Sequence, residues 1–410
     1  MMEANLTKIK EYYETMQPEL ERKLTILSLA VENLTQDPSI LQLKQSYCIN
    51  LINNLDSEVV NDDMLYYIDC SLTLWFNKSV EAVNRVASKR KKIHENMISL
   101  KRLKLPDQRS EEWYKIRENL LTASSLADAL GKGHFQTRDD LLISKTQETK
   151  KSFSKASLDI MQWGVKYEPV ATRFYEHLND LTVVEFGLIP HPNLSVFGAS
   201  PDGICDIGSP DGYEGRMLEI KCPPKRKFTK EVPHHYWMQM QGQLEVCDLE
   251  DCDFLQVKLE EYFDVSDYEK DCLIEDKIQH GYTKNNLPKG LILSYKIDDH
   301  IEYLYSPWLA SLDQILNWQR QMIQEHSDKQ VTSKWWKIER YECTLVRRDK
   351  EWWSSKVPDI MKFWADVVHY RKVGNEEVQK RIDGRKRGPR KKVFTIKEPL
   401  QGYQMDSDDD

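Results

Sequence analysis

Apolar positions such as Leu24, Leu27 and Val31 recur at three- and four-residue spacing, the period of a helix with one buried face. No glycine precedes Gly131, although the chain has 16, and strands and tight hairpins ordinarily need some. The first third is therefore expected to be helical, with breaks at Pro18, Pro38, Pro106 and the Asn61-Asp62-Asp63 cluster. We read 1–104 as a helical N-terminal domain, and Lys101 to Arg109, poor in buried-type residues, as the linker that leaves it. Further on the texture changes. Short β-branched or apolar runs at 182–186, 195–197 and 217–220 lie between Gly, Pro and Asp, which predicts strands and turns. Helical spacing returns over His235 to Cys247, a strand is expected at Asp253 to Leu259, and Leu291 to Ile297 with Ile301 to Tyr305 predicts a hairpin. Residues 307–372, dense in tryptophan, are expected to be helical, with the tryptophans packing as core. The 105–372 domain thus reads as α/β with helical additions at both ends, and 373–410, first basic and then acidic, as a flexible tail.

Composition narrows the class. With 410 residues, 40% hydrophobic and 30% charged, the chain has room for two or three domains. No apolar run approaches the roughly 18 to 20 residues of a membrane span, and Met1 to Leu20 is too polar for a signal peptide, so an intracellular protein is expected. Eight cysteines without a repeated CxxC suit reduced thiols. Cys247 and Cys252 alone lack the companions an iron-sulfur cluster needs. A formal charge of -8 argues against indiscriminate nucleic-acid coating, which leaves local patches. Two runs stand out: Ser88 to Ile93, and the group Arg385, Lys386, Arg387, Arg390, Lys391 and Lys392. Either could contact DNA backbone or serve nuclear import, although charge runs are usually just solvated.

Candidate chemistry concentrates in Ser200-Pro-Asp202-Gly and Leu218-Glu219-Ile220-Lys221-Cys-Pro. A strand points alternate side chains one way, so Glu219 and Lys221 share a face, and a hairpin would bring Asp202 beside them. Two carboxylates and an ammonium form a hard-oxygen site for Mg²⁺ or Mn²⁺, with the lysine positioned to orient or deprotonate a water. An isolated E-x-K is more often a minor salt bridge. Here, however, Glu168 offers another carboxylate at the start of a helix whose first turn holds Pro169, and Gln239 and Gln243 stand four apart on one helical face. Ser110 is a good N-cap for a helix with Trp113, Ile116 and Leu120 as its buried stripe. A second helix capped by Thr122 or Ser124 and approached by Arg117 would make an anion site, unless Arg117 merely pairs with a neighbouring acid.

The ordered motifs R-S-x-x-W-x-x-x-R-x-x-x-x-T-A-S, W-G-x-x-x-E, S-P-D-G, L-E-I-K-C-P and Y-W-M-Q-M-Q resemble the phage-lambda-type exonucleases, the YqaJ viral recombinase family of the PD-(D/E)XK nucleases, in detail over about 109–260. The resemblance implies a restriction-endonuclease-like core, with a mixed sheet flanked by helices. It also implies a metal-dependent 5′-to-3′ double-strand DNA exonuclease that leaves 3′ single strands for recombination or repair. Asp202 and Glu219 would be metal ligands with the backbone carbonyl of Ile220, for two Mg²⁺ or Mn²⁺ ions. Lys221 would be the catalytic lysine, Glu168 the helix carboxylate near the metals and Gln239 the active-site amide. Arg117, Ser124 and Ser200 would hold a terminal 5′-phosphate. Double-stranded DNA is the implied partner, with a single-strand annealing or recombinase protein beside it. The helical domain and tail match versions from large DNA viruses, placing the protein in host cytoplasm or nucleus; they leave open whether a homo-oligomeric ring forms. A structure-specific endonuclease could use the same carboxylates without the phosphate pocket, whereas a non-catalytic DNA-binding scaffold has no need of Asp202, Glu219 and Lys221 together.

Overall fold

The computed structural model describes residues 88–387 except 107, 109, 148–153, 211, 226–227, 229–230, 273–280 and 299. The helices expected before residue 88 lie outside the described residues. The described chain falls into two compact units, 88–103 with 206–215, and 104–205 with 216–387. In the first, residues 88–101 are helical and bury Met97 and Leu100. His94 Nδ1 meets Glu214 Oε1 at 2.8 Å and Lys101 Nζ meets Asp206 Oδ1 at 2.7 Å. Lys89 to Lys92 lie exposed on this helix.

The second unit opens with α1 (Glu111–Glu118), whose N-cap Ser110 accepts a hydrogen bond from the Trp113 N–H while Glu111 and Glu112 occupy the electropositive first turn. β1 (Leu121–Thr122), a 3₁₀ turn at Ala123–Ser125 and the short α2 (Leu126–Ala129) follow, then α3 (Arg138–Thr146) and the long α4 (Lys155–Asn179). β2 (Val183–Val184), β3 (Ile189–Pro190), β4 (Phe197–Ala199), β5 (Gly203–Cys205) and β6 (Met217–Lys221) lead to α5 (His234–Cys247) and β7 (Asp251–Glu261). α6 (Val265–Lys270), β8 (Lys289–Ile297), β9 (His300–Tyr305), α7 (Leu312–Glu325), β10 (Thr332–Arg347), α8 (Lys350–Val373) and α9 (Glu376–Arg387) complete the chain.

The main sheet is mixed, in the order β2-β5-β6-β7-β10-β8-β9, and β1-β4-β3 form a smaller one. β6 and β7 are its parallel pair, joined through α5, the connection that lays a helix against a sheet. The expected α/β architecture is what the chain adopts. β6 is buried on both faces, as a central strand should be, yet carries the fully buried Glu219 among Met217, Leu218 and Ile220. α5 is buried nearly all round, and at Gly242 a Cβ would stand 2.9 Å from Phe197 Cζ and 3.2 Å from Ala123 Cβ. That close approach sets the helix against β4 and the 3₁₀ turn.

Three sequence expectations change. Pro169 sits inside α4, well past its first turn, because the helix starts at Lys155 under the N-cap Ser154. Residues 307–372 are not helical throughout: β10, 16 residues long, pairs with both β7 and β8. Its Trp335 and Trp336 are core, as expected of that region's tryptophans. Finally, residues 376–387, expected within a flexible tail, form a helix. α9 buries Val378 and Ile382, so its apolar face offsets the entropy of ordering. No described helix is long and apolar enough to cross a membrane.

Candidate active site

Glu219 projects from β6 with no exposed surface. Its carboxylate accepts hydrogen bonds from Lys221 Nζ and, at 2.7 Å each, from Gln239 Nε2 on one oxygen and Gln243 Nε2 on the other. The two amides thus share a face of α5, as their spacing predicts, and both hold the Glu219 carboxylate. The third amide of the helix, Gln241, faces elsewhere: it donates to the Arg347 carbonyl at 2.9 Å and accepts from the Asp349 N–H at 2.6 Å. Asp202, in the turn before β5, accepts from the Ile220 N–H at 2.7 Å, so the hairpin brings both carboxylates to one strand.

Burial and the Glu219 charge together push the Asp202 carboxyl well above the usual range, against the pull of Lys221. Burial works to lower the Lys221 pKa, but Glu219 and Asp202 outweigh it and keep the lysine above its ordinary value. Glu168, half-buried on α4, is near enough to raise Asp202 and Cys222 through its charge. Among the described residues no three His, Cys, Asp or Glu side chains form a group that could enclose a metal. The donor set still fits a hard divalent cation: two acidic oxygen donors against one ammonium leave a negative surplus, and Mg²⁺ typically takes one or two carboxylates and completes its shell with water and phosphate oxygens. Gln243 Oε1, buried without a donor among the described residues, adds an unsatisfied acceptor beside them.

A second cluster adjoins the first. The Arg117 guanidinium lies 4.2 Å over the Trp113 ring and donates to Ser124 Oγ at 3.2 Å. Trp113 Nε1 donates to Ser200 Oγ at 3.2 Å, and the Ser200 carbonyl accepts from Gln243 Nε2 at 3.5 Å. Contacts thus run unbroken from Arg117 through Trp113, Ser200 and Gln243 to Glu219. Among the described residues Arg117 has no carboxylate partner, and burial pulls its pKa down. The expected helix N-terminus is absent here: Thr122 precedes a 3₁₀ turn without capping it, and α2 has four residues, too few for a useful dipole. The Thr122 hydroxyl instead lies 3.1 Å from Ser124 Oγ.

Sequence reasoning missed the supports of this cluster. Lys145 Nζ donates to the carbonyls of Arg117 and, at 2.7 Å, Leu120. Arg371 donates to the Glu118 carbonyl at 2.8 Å, to Asn119 Oδ1 and to the Lys145 carbonyl. Arg385, a candidate DNA-backbone contact, pairs with Asp139, as does Arg381 at 3.2 Å. Asp139 is buried, and the two arginines compensate its charge. Lys386 and Arg387 close α9; Arg390, Lys391 and Lys392 lie outside the described residues.

Comparison with known proteins agrees with the motif resemblance. Residues 112–250 match the YqaJ-like viral recombinase domain. The chain is 29% identical over 304 residues to the uncharacterized protein R354 of Acanthamoeba polyphaga mimivirus, covering 66% of this chain and 54% of R354. It is 28% identical over 163 residues to protein D345L of African swine fever virus (strain Badajoz 1971 Vero-adapted), covering 34% of this chain and 46% of D345L. The chain thus spans about half the length of the curated relatives it matches. Among solved structures, the alkaline exonuclease LHK-Exo from Laribacter hongkongensis aligns at 21% identity over 67% of this chain and 99% of its own, with a TM-score of 0.37. A phage-related exonuclease from Haemophilus somnus 129PT aligns at 11% identity over 64% and 96%, with a TM-score of 0.31.

Proposed function

We propose that this chain, which carries a YqaJ-like viral recombinase domain over residues 112–250, is a divalent-metal-dependent DNA exonuclease that digests one strand of a duplex from a 5′-phosphorylated end. One observation carries the reading: a half-buried arginine without a carboxylate among the described residues stands among hydroxyls and is joined by continuous contacts to a buried Asp-Glu-Lys cluster. A desolvated guanidinium lacking an acid is built to receive an anion, and a terminal phosphate presents a second charge that internal phosphodiesters lack.

In this reading Arg117, Ser124 and Ser200 hold the terminal phosphate, and the next phosphodiester lies against Lys221. The lysine ammonium stabilises the charge that gathers on the phosphate oxygens as water attacks phosphorus and the bond to the 3′ oxygen breaks. Glu219, fixed by Gln239 and Gln243, keeps that ammonium in place. Asp202, Glu219 and the Ile220 carbonyl, with Glu168 near them, would hold one or two Mg²⁺ or Mn²⁺ ions, which supply charge neutralisation at the phosphate and acidify the attacking water. Release of a mononucleotide leaves the shortened strand with a new 5′-phosphate, ready for the same pocket, and leaves its complement as a 3′ single strand.

The test compares initial rates on linear duplexes with 5′-phosphate or 5′-hydroxyl ends, with closed circular DNA as control. Charge-assisted hydrogen bonds contribute roughly 1.5 to 3 kcal/mol each, so Arg117→Ala is expected to slow digestion of phosphorylated ends about tenfold or more and to spare hydroxyl ends. A parent without phosphate preference, or one that cuts the circle as readily, would shift the reading to an endonuclease built on the same carboxylates.

A further inference from the structure

A column of aromatic rings leads away from Lys221. The Lys221 ammonium stands 5.1 Å from the centre of the Tyr236 ring, which lies 4.1 Å from the His235 ring. His235 stacks on His134 at 5.0 Å and 9°, and Phe135 meets both edge-on, 5.6 Å from His235 and 4.8 Å from His134. The inner end is anchored where Tyr236 packs 5.5 Å from the fully buried Phe254. Exposure grows outward until Phe135 is 77% exposed.

The loop that carries the outer rings is tied to the helices on either side of it. Gly131 has φ +69, and a Cβ on Gly133 would stand 2.0 Å from Asp128 Oδ1. Asp128, itself buried, accepts from Gln136 Nε2 at 2.7 Å, and Thr137 with Asp140 closes a capping box at the start of α3. An apolar ring is thus held in water by a loop braced on both sides.

We infer that His134, Phe135 and His235 form a stacking subsite for a nucleobase of the strand whose phosphate meets Lys221. This rests on the exonuclease reading above and adds a substrate contact to it. The column begins at the lysine, so what reaches the outer rings is what is attached to that phosphate. Every nucleobase has a flat π face, and a stack of rings accepts each of the four, as digestion of arbitrary sequence requires.

The test uses 5′-phosphorylated duplexes with 2-aminopurine at one of the first three nucleotides of the 5′ strand, bound in EDTA, alongside steady-state digestion with Mg²⁺. The parent and Phe135→Trp are expected to quench the fluorescence at one of these positions and Phe135→Ala to leave it unquenched. In digestion, Phe135→Ala is expected to raise KM about fivefold or more with kcat kept within about twofold, and Phe135→Trp to restore KM. A Phe135→Ala protein that quenches and digests like the parent overturns the subsite and leaves the exonuclease reading standing. A parent that digests no duplex overturns both.

Discussion

Glu219 and Asp202 carry like charges but do different structural work. Glu219 has no exposure and satisfies an ammonium and two amides. Removing one partner of a buried ion pair costs about 3 to 5 kcal/mol, because the other charge is left uncompensated. Glu219→Ala therefore confuses catalysis with folding, and its thermal midpoint is expected to fall by roughly 5 °C or more. Asp202 offers one oxygen to the Ile220 N–H, and burial and Glu219 already disfavour its charge. Asp202→Asn keeps an oxygen acceptor, removes the charge and relieves repulsion from Glu219. It is expected to melt with the parent and to lose more than about 100-fold in turnover, worth roughly 2.7 kcal/mol of barrier. Calorimetry and single-turnover digestion check the pair, and a well-folded Asp202→Asn protein within about tenfold of parent activity would mean the site is misplaced.

At the scale of elements, α1 presents Arg117 from its last turn, and that turn is held by partners far along the chain. Arg371 on α8 fastens the Glu118 carbonyl and Asn119, and through the Lys145 carbonyl it steadies the lysine that grips the carbonyls of Arg117 and Leu120. Losing hydrogen bonds worth about 0.5 to 1.5 kcal/mol each should let the turn drift, so Arg371→Ala is expected to lower the preference for phosphorylated over hydroxyl ends about threefold or more, with the hydroxyl-end rate kept. An unchanged rate ratio would make Arg371 only a fastening of α8. Nothing in the sequence announces this brace, because both cations bind mostly backbone carbonyls, which any residue type supplies. The strand bearing Glu219 and Lys221 was readable, since Gly, Pro and Asp bracket a short apolar run, and so was α5, whose glutamines keep helical spacing. β10 was not. Trp335 and Trp336 stand side by side and break the alternation of a strand, and the pairing register with β7 shifts between Ile338 and Arg340, so the segment reads as an aromatic continuation of its helical neighbours. The route from Arg117 to Ser200 runs through Trp113, which binds a residue 87 positions away, a separation no local pattern encodes.

At the scale of the molecule, α9 carries the C-terminal region into the fold as far as residue 387, and the basic Arg390, Lys391 and Lys392 lie beyond the described residues. α9 buries Val378 and Ile382, each worth about 1.5 to 3 kcal/mol, and its Arg381 and Arg385 neutralise the buried Asp139. Both arginines are partly exposed, so solvent screening reduces the ionic contribution to about 1 kcal/mol or less apiece. Against a total stability of about 5 to 15 kcal/mol, losing the helix is a large fraction. Truncation after Gly374 is therefore expected to lower the thermal midpoint by roughly 10 °C or more. Truncation after Arg387 should leave it unchanged. The shorter deletion removes Arg390, Lys391 and Lys392, and cations that reach only backbone phosphates add affinity through released counterions. The slope of log affinity against log salt should then flatten by up to about 2.7, or about 0.9 for each of three phosphates that the run no longer neutralises. Differential scanning fluorimetry on both truncations, with DNA binding titrated across salt for the longer protein, separates the two roles. A truncation at 374 that melts with the parent would make α9 dispensable to the fold, and an unchanged salt slope on ending at 387 would remove the basic run from the DNA interface.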